Sequence, residues 1–243
     1  MDNLDINFLK DNLKELNIEL SETQINMFVK YYELLVEWNS FMNLTAITEW
    51  KEVVIKHFID SLSLVNVIEN MTDVSYSVLD IGTGAGFPGI PLKIAFPNLK
   101  ITLVDSLNKR VKFLNEVINV LGLENIVAIH SRAEDIGHNS MYREQYDIVV
   151  SRAVSNLTVL AEYCVPFVKL NGCFIPYKSE KSEEELTNAS KALSILGCKY
   201  INSVDFDLPS SDIFRCLLVF EKIKNTPNKF PRKAGLPTKD PIC

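Results

Sequence analysis

The chain has 243 residues, 47% of them hydrophobic, which is enough for one medium-sized domain with a buried core and argues against a disordered chain. Its net charge of −6 argues against a protein that coats nucleic acid over its whole surface, because phosphate binding depends on Lys and Arg. The first ten residues resemble neither a signal nor a transit peptide, and no apolar run approaches the roughly 20 residues that span a bilayer. We therefore expect a cytoplasmic protein that does not bind membranes.

Helical spacing dominates the first 72 residues. A second helix is predicted to begin at Ser21, where Gln24 completes a capping box, and a third is predicted after Thr48. The first helix is indicated by apolar residues at helical spacing: Leu4, Phe8 or Leu9, Leu13 and Leu16. We expect residues 1–72 to form a helical cap.

From residue 76 onward, short β-branched runs alternate with helical segments. This alternation predicts a Rossmann-like, mostly parallel seven-stranded sheet with helices on both faces, over residues 73–224. The last two strands are separated only by a loop, which predicts an antiparallel hairpin at one edge. The predicted strands are YSVLDI, KITLVDS, NIVAIHS, YDIVVSR, CFIPYKS, KYINSVDFDL and RCLLVFEKI.

The turn after the first strand, VLDIGTGAGFPGIP, is rich in glycine. In a doubly wound sheet this turn is the usual cofactor loop. The spacing Gly84-x-Gly86-x-x-Gly89 also satisfies the dinucleotide fingerprint, with Asp105 as the acid that binds the ribose. The glycines alone therefore leave a dinucleotide open.

Asp80 favours a different ligand. A carboxylate beside the loop would repel a pyrophosphate placed at the helix N-terminus. S-adenosylmethionine carries an ammonium and a sulfonium but no phosphate, so it suits a carboxylate directed toward the ammonium. Gly82 and Gly84 would then give bare backbone close to the methionine portion.

Residues after the second and third strands agree with this ligand. Asp105 ends the second strand, from which a carboxylate accepts both ribose hydroxyls; the alternative is an N-cap of the following helix. Ala133 leaves room for an adenine ring, and Glu134 is expected to meet its amino edge. The alternative for this segment is an acidic pair that starts a helix.

Motifs over most of the chain, from residue 37 to the end, resemble those of the bacterial small-subunit ribosomal RNA methyltransferase G family, also called glucose-inhibited division protein B. The resemblance implies a class I S-adenosylmethionine-dependent methyltransferase fold, S-adenosylmethionine as methyl donor, and N7 of one guanine in 16S ribosomal RNA as acceptor. The motifs are WNSFMNLTAI, HFIDSL, DIGTGAGFPGIPL, LVDSLNKRVKFL, SRAED, DIVVSRAVSNL and PRKAGLPTKDPI.

The resemblance also assigns site residues by motif position. Its cofactor contacts fall on Gly82, Phe87, Ala133, Glu134 and Arg152. Reasoning from the residues adds Asp80, Gly84 and Asp105. Many related folds have an acidic residue where Arg132 stands, which leaves the adenine contact to Glu134.

Arg152 is the candidate catalytic residue. It ends the fourth predicted strand and is expected to orient guanine or a phosphate; the alternative is a salt bridge that closes the pocket. Guanine N7 exposes a lone pair and has no proton to lose, so the lack of an obvious general base agrees with this acceptor. In duplex RNA the atom faces a groove that side chains cannot read, so the target is expected in a loop or flipped out.

Other polar groups receive structural interpretations. His57 and Asp60 share a helix face and are expected to form a hydrogen-bonded pair, with no metal site. The five cysteines, which include Cys164 and Cys243, show no metal or disulfide pattern and are expected to be reduced and buried.

Two basic segments allow a contact with RNA or a solvated surface. The first is the run Lys109, Arg110 and Lys112. The second is the basic tail, residues 225–243, with the end of the preceding strand; the cations concerned are Lys222, Lys224, Lys229, Arg232, Lys233 and Lys239.

The expected partner is 16S ribosomal RNA or the small-subunit particle, and the chain is expected to act as a monomer. Two alternatives remain from the residues. They are an NAD-dependent oxidoreductase and a ligand-binding regulatory module without catalysis.

Overall fold

The computed structural model describes residues 4–152, 154–179 and 182–242. Its strands are β1 (Ser77–Ile81), β2 (Lys100–Asp105), β3 (Ile126–His130), β4 (Tyr146–Arg152), β5 (Val168–Lys178), β6 (Cys198–Asp207) and β7 (Phe214–Lys222). They form one seven-stranded sheet in the order β3-β2-β1-β4-β5-β7-β6.

The sheet confirms the predicted fold class. Strands β1 to β5 pair in parallel, whereas β7 pairs antiparallel with both β5 and β6. The chain runs outward from β1 to β3 and then returns to place β4 on the other side of β1. In open α/β sheets, ligands bind beyond the carboxyl ends of the strands at such a reversal.

Helices connect the strands and precede them. The helices before β1 are α1 (Ile6–Glu15), α2 (Glu22–Met42), α3 (Trp50–Val53) and α4 (Asp60–Leu62), with a π-helical turn at Val54–Ile59 and a 3-10 turn at Ser63–Asn66. The later ones are α5 (Gly89–Ala95), α6 (Asn108–Val120), α7 (Ala133–Ile136), α8 (Leu157–Cys164), α9 (Ser182–Leu196) and α10 (Leu236–Lys239).

The N-terminal helices begin where the sequence predicts. The Ser21 hydroxyl accepts the Gln24 N–H, and the Gln24 side chain accepts the Ser21 N–H, so the capping box is complete. The third helical stretch follows Thr48 but changes from α to π geometry, back to α and then to 3-10 along its length. These helices share one hydrophobic core with the sheet, in which Phe28 and Phe58 pack with residues such as Phe113.

The C-terminal segment folds back on the domain. Arg232 forms a bidentate ion pair with the buried Glu162, at 2.7 Å from Nη2 to Oε2. Lys222 is fully buried and donates to the Val165 carbonyl and the Thr226 hydroxyl. Arg232 and Lys222, two of the six cations in and before the basic tail, thus bind groups of the protein itself. The remaining cations of that set are exposed: Lys224, Lys229, Lys233 and Lys239.

Within the described ranges, no helix has the length and hydropathy to cross a bilayer. Cys164, Cys198 and Cys216 are buried free thiols, and Cys173 is half-buried. Cys243 lies outside the described residues.

Candidate active site

The glycine loop links β1 to α5 at the carboxyl edge of the sheet. Gly82 and Gly84 have φ angles of +70° and +62°, which residues with a side chain rarely adopt. The Gly82 N–H donates to the Val104 carbonyl at 2.8 Å, so the loop crosses the end of β2. At Gly89, a Cβ would lie 2.2 Å from Leu103 Cδ2. Glycine there lets the helix pack directly on the sheet.

Asp80 lies beneath this loop and is fully buried. Its Oδ2 accepts hydrogen bonds from the Thr83 hydroxyl at 2.6 Å and the Gly89 N–H at 2.9 Å. Its Oδ1 is buried and has no partner among the described residues. Burial raises the pKa of Asp80 to about 6, although both hydrogen bonds and Arg152 act to lower it. One carboxylate oxygen therefore fixes the loop, and the other has no hydrogen-bond donor among the described residues.

Asp105 stands at the end of β2 and is 3% exposed. Its Oδ2 accepts the Gly84 N–H at 3.0 Å, and its Oδ1 accepts the Leu107 N–H at 2.8 Å. Arg110 lies 3.3 Å from Oδ2. Helix α6 begins just after Leu107, so the carboxylate orders the start of this helix as well as the glycine loop. The N-cap of α6 is Leu107 and has no side-chain cap bond, so the N-cap alternative for Asp105 is wrong; its carboxylate instead accepts the N–H of the cap residue.

A cavity of about 480 Å³ brings four of the predicted cofactor residues together: Gly82, Asp105, Ala133 and Glu134. Val154, Tyr163 and Gly235 also line it. The Gly235 N–H donates to Glu134 Oε1 at 3.1 Å, so the C-terminal segment helps to form the wall. Sequence reasoning missed both Tyr163 and Gly235, which come from a core helix and from the tail.

The donor set of this first cavity fits S-adenosylmethionine. Asp105 presents a carboxylate for ligand hydroxyls at the end of β2, and Ala133 keeps the wall beside it small. Asp80 does not line the cavity, but beneath the loop it has one oxygen without a hydrogen-bond donor among the described residues. Such an oxygen disfavours a pyrophosphate and favours a positively charged ligand.

A second cavity, of about 600 Å³, lies on the other side of the end of β4. Arg152, His57 and Asp60 line it together with Lys178 and Arg215. Asp60 is 1% exposed and is held by two arginines. Arg152 Nη1 donates to Oδ2 at 2.8 Å, while Arg215 donates from Nε to Oδ1 at 2.9 Å and from Nη2 to Oδ2 at 3.3 Å. Arg152 thus forms the salt bridge that the sequence allows as its alternative role.

The predicted hydrogen bond between His57 and Asp60 is wrong. His57 Nε2 instead lies 2.9 Å from the Thr45 hydroxyl, and Nδ1 lies 3.0 Å from the Lys56 carbonyl. Both oxygens of Asp60 are directed at arginines, so the two side chains meet only through Arg152. Burial and the charge of Arg152 lower the pKa of His57 to about 3, which keeps the ring neutral at physiological pH.

Phe87 connects the glycine loop to the second cavity. Its ring stacks on His57 with 4.4 Å between centroids, and the Arg152 guanidinium lies 5.2 Å from its centroid. Among the predicted cofactor residues, Phe87 and Arg152 therefore lie together against the second cavity. Gly84 belongs to the loop between them and the first cavity, where its N–H bonds to Asp105.

The segment after β4 separates the two cavities. Arg152 and Ser155 line the second cavity, whereas Val154 lines the first. Lys178 donates to the Ser155 carbonyl at 3.0 Å, which ties this segment to the end of β5. Residue 153 lies outside the described residues.

Two residues that position this site escaped the sequence analysis. Tyr31, on α2, donates from its hydroxyl to the Ala85 carbonyl of the glycine loop at 2.5 Å. Arg215, on β7, reaches Asp60 from 155 residues away in the chain. The only signal for Arg215 is a charged residue within an apolar strand, RCLLVF. Nothing in its neighbourhood distinguishes Tyr31 from a core tyrosine.

Comparison with known proteins identifies the family. Residues 24–213 match the family described as rRNA small subunit methyltransferase G. A relative with the name Ribosomal RNA small subunit methyltransferase G, from Desulforamulus reducens, is 54% identical over 235 residues, which are 97% of each chain. A relative of the same name from Alkaliphilus metalliredigens is 51% identical over 96% of this chain and 97% of that one.

Solved structures share the fold at low identity. TrmN from Thermus thermophilus has a TM-score of 0.50 and 16% identity, covering 67% of this chain and 48% of that chain. The ribosomal protein L11 methylase of Lactobacillus delbrueckii subsp. bulgaricus has a TM-score of 0.50 and 14% identity, covering 68% of this chain and 77% of that chain.

The family match covers most of the chain, and the relatives align with it almost from end to end. This agreement confirms the resemblance seen in the motifs and favours methyl transfer over the oxidoreductase and the binding module. The chain belongs to the rRNA small subunit methyltransferase G family.

Proposed function

We propose that this rRNA methyltransferase, whose cofactor is S-adenosylmethionine, methylates N7 of a guanine in 16S ribosomal RNA. The observation that supports the proposal is the pair of cavities on either side of the segment after β4. The first cavity has carboxylates, Asp105 and Glu134, for the ribose and the base of the cofactor. The other cavity is lined by cations and by His57, on which Phe87 stacks. A cationic lining suits a nucleotide with its phosphate.

In this proposal the first cavity holds the cofactor. Asp105 accepts hydrogen bonds from the ribose, and Glu134 meets the adenine edge beside Ala133. Gly82 and Gly84 provide backbone close to the methionine portion, with Asp80 near its ammonium. The cofactor supplies an electrophilic methyl group on a sulfonium centre. The protein's part is to fix the position of donor and acceptor and to supply a suitable field.

The second cavity would take the guanine. Among the described residues, four cations line it, Lys56, Arg152, Lys178 and Arg215, against the carboxylates Asp60 and Glu185. This excess of positive charge favours a nucleotide with its phosphate. Arg152 is the proposed catalytic residue, since it lines the cavity and makes its bonds to Asp60 and to the Lys56 carbonyl through Nη1 alone. Phe87 would stabilise the position of Arg152 through its ring.

The polar groups of the second cavity agree with an acceptor that gives up no proton. The two carboxylates that line it in the described part of the chain are already engaged: Asp60 by two arginines, and Glu185 by the Leu157 N–H and Lys178, each at 2.6 Å. His57 is neutral and contacts Thr45 and Lys56. Guanine N7 needs no general base, whereas an amino group must lose a proton when it is methylated. This contrast supports N7.

We also propose a division of the chain into three parts. Residues 1–72 form a helical cap on the methyltransferase core of residues 73–224, and residues 225–243 form the basic tail. The enzyme acts in the cytoplasm as a monomer on 16S RNA or the small-subunit particle, with the target nucleotide in a loop or flipped out of its helix.

Transfer of a labelled methyl group tests the proposal. Free 16S RNA, immature particles and whole small subunits are incubated with the enzyme, and the RNA is digested and analysed by mass spectrometry. The expected product is 7-methylguanine at a single position. Label on another atom or another base would overturn the N7 assignment. Arg152→Lys, which keeps the charge without the planar fork, is expected to lose activity while binding of S-adenosylhomocysteine persists.

A further inference from the structure

We propose that the exposed ring of Phe41 is a stacking platform for an unpaired base of the RNA substrate, outside the cavity for the target guanine. The inference rests on RNA as the substrate and on the proposed position of the acceptor in the second cavity. It goes further by naming a surface on the helical cap that holds the RNA strand.

The ring is exposed but firmly supported. Phe41 stands at the end of α2 with 66% of its surface exposed. Its centroid lies 5.6 Å from that of Trp38, and Trp38 lies 5.6 Å from the fully buried Phe113. The three rings thus form a continuous series from the core to the surface. A ring held this way loses little conformational freedom when it contacts a ligand.

Single exposed apolar residues are common on soluble proteins, so exposure alone does not indicate a site. The surroundings of Phe41 add charge. Lys109 Nζ lies 3.3 Å from the carbonyl oxygen of Met42, the residue that follows Phe41. Lys112 is exposed one turn further along α6. Leu107, at the start of that helix, is 43% exposed. An aromatic ring beside cations is the arrangement that binds single-stranded nucleic acid.

The platform is connected to both cavities. Leu107, two residues before Lys109 and just before α6, donates its N–H to Asp105 in the wall of the first cavity. Thr45, four residues after Phe41, bonds to His57 in the wall of the second cavity. Four residues extend over at most about 14 Å. An RNA strand that places a nucleotide in the second cavity therefore has the Phe41 ring within reach.

The charge pattern favours a base over a continuous phosphate track. Glu37 is exposed one turn before Phe41 on α2 and would repel phosphates on that side. Lys109, beside Met42, provides a cation on the side of α6, and Lys112 is exposed one turn further along that helix. A base that stacks on the ring with its phosphate toward α6 satisfies both features. A protein segment that docks on the same ring would gain nothing from the two lysines unless it were acidic.

Substitution of the ring gives a direct test. Phe41→Ala is compared with Phe41→Trp, which keeps a stacking surface, and with Tyr200→Ala as a matched control. Tyr200 is also an exposed aromatic that packs on a buried ring, Phe220, but it lies on the outermost strand β6. Binding of a 16S RNA fragment is measured directly, and calorimetry measures the affinity for S-adenosylhomocysteine.

Loss of one base–aromatic stack is expected to weaken RNA binding of Phe41→Ala about 5- to 150-fold. Phe41→Trp and Tyr200→Ala should bind RNA as the wild type does, and all three variants should keep their affinity for S-adenosylhomocysteine and their melting temperature. Unchanged RNA affinity in Phe41→Ala would overturn the proposal. A defect seen only on assembled particles, with normal binding of free RNA, would overturn it in favour of a protein contact.

Failure of the Phe41 proposal can be distinguished from failure of the proposed function. If Phe41→Ala binds RNA poorly while the wild-type product is not 7-methylguanine, the platform stands and the acceptor assignment fails. If the product is 7-methylguanine and RNA binding is unaffected, only the platform fails.

Discussion

The hydroxyl of Tyr31 donates to the carbonyl of Ala85 at 2.5 Å, and through this bond helix α2 holds the glycine loop. Both groups are buried. Burial raises the pKa of the Tyr31 phenol well above its usual value, so the hydroxyl remains a donor. The helical N-terminal region therefore does more than cover the sheet, because it sets the conformation of the loop proposed to bind the cofactor.

Removal of this hydroxyl is predicted to weaken both stability and cofactor binding. Tyr31→Phe keeps the ring but leaves the buried Ala85 carbonyl without its donor, which costs about 1–3 kcal/mol of unfolding free energy. Chemical denaturation measures the loss, and calorimetry measures the weaker binding of S-adenosylhomocysteine. Tyr32→Phe is the control, since its hydroxyl bonds to the more exposed Thr48 carbonyl. Equal effects of the two substitutions would contradict a special role for Tyr31.

Close packing at Gly89 predicts a large effect for one added methyl group. In Gly89→Ala the new Cβ would lie 2.2 Å from Leu103 Cδ2 and 3.1 Å from Asp80 Oδ2. Helix α5 must then move away from the sheet, at a cost of about 1–3 kcal/mol or more. Gly122→Ala is the control for backbone strain alone, because its φ is +60° and nothing lies within 4 Å of its added Cβ. A midpoint of unfolding for Gly89→Ala equal to that of the wild type would contradict the packing argument.

The sequence predicts the sheet and the loop because both depend on local patterns. Alternating β-branched runs and helical segments give the strands in chain order, and the position of Asp80 and the glycines follows from one continuous segment. The first cavity also follows, since Gly82, Asp105 and Glu134 each lie at the end of a parallel strand or within four residues of it, and so meet at the same edge.

The second cavity could not be predicted in the same way. Asp60, Arg152 and Arg215 come from a helix of the N-terminal region, a parallel strand and an antiparallel strand, and only the folded chain brings them together. The helix spacing of His57 and Asp60 suggested that they bond to each other. Two arginines compete better for the carboxylate because a buried charge requires charged partners.

Asp105 is predicted to contribute strongly to cofactor affinity. Asp105→Asn keeps an acceptor for the Gly84 or the Leu107 N–H but removes the charge that would accept ligand hydroxyls. Loss of a hydrogen bond to a charged group predicts about 10- to 150-fold weaker binding of S-adenosylhomocysteine. Calorimetry provides the measurement. Asp135→Asn, an exposed substitution just beyond the first cavity, should leave the affinity unchanged, and an equal loss there would argue against direct contact by Asp105.

The buried carboxyl of Asp80 predicts a pH dependence of stability. Its pKa is raised from 3.8 to about 6, so between these values the native state holds a proton that the unfolded state has released. The contribution of Asp80 to the free energy of unfolding therefore decreases as the pH rises from about 4 to about 6, and does not change further above that range. Asp80→Asn removes this titration while keeping acceptor oxygen for Thr83 and Gly89.

The same titration predicts the pH dependence of cofactor binding. The ionised form of Asp80 favours a ligand ammonium, so affinity for S-adenosylhomocysteine should rise as the pH rises through about 6, by up to about tenfold per pH unit on the acid side. Calorimetry of the wild type and of Asp80→Asn on both sides of pH 6 tests this. The variant should bind more weakly at neutral pH and should lack the rise. A wild-type affinity independent of pH in this range, or the same rise in the variant, would show that Asp80 does not interact with the ammonium.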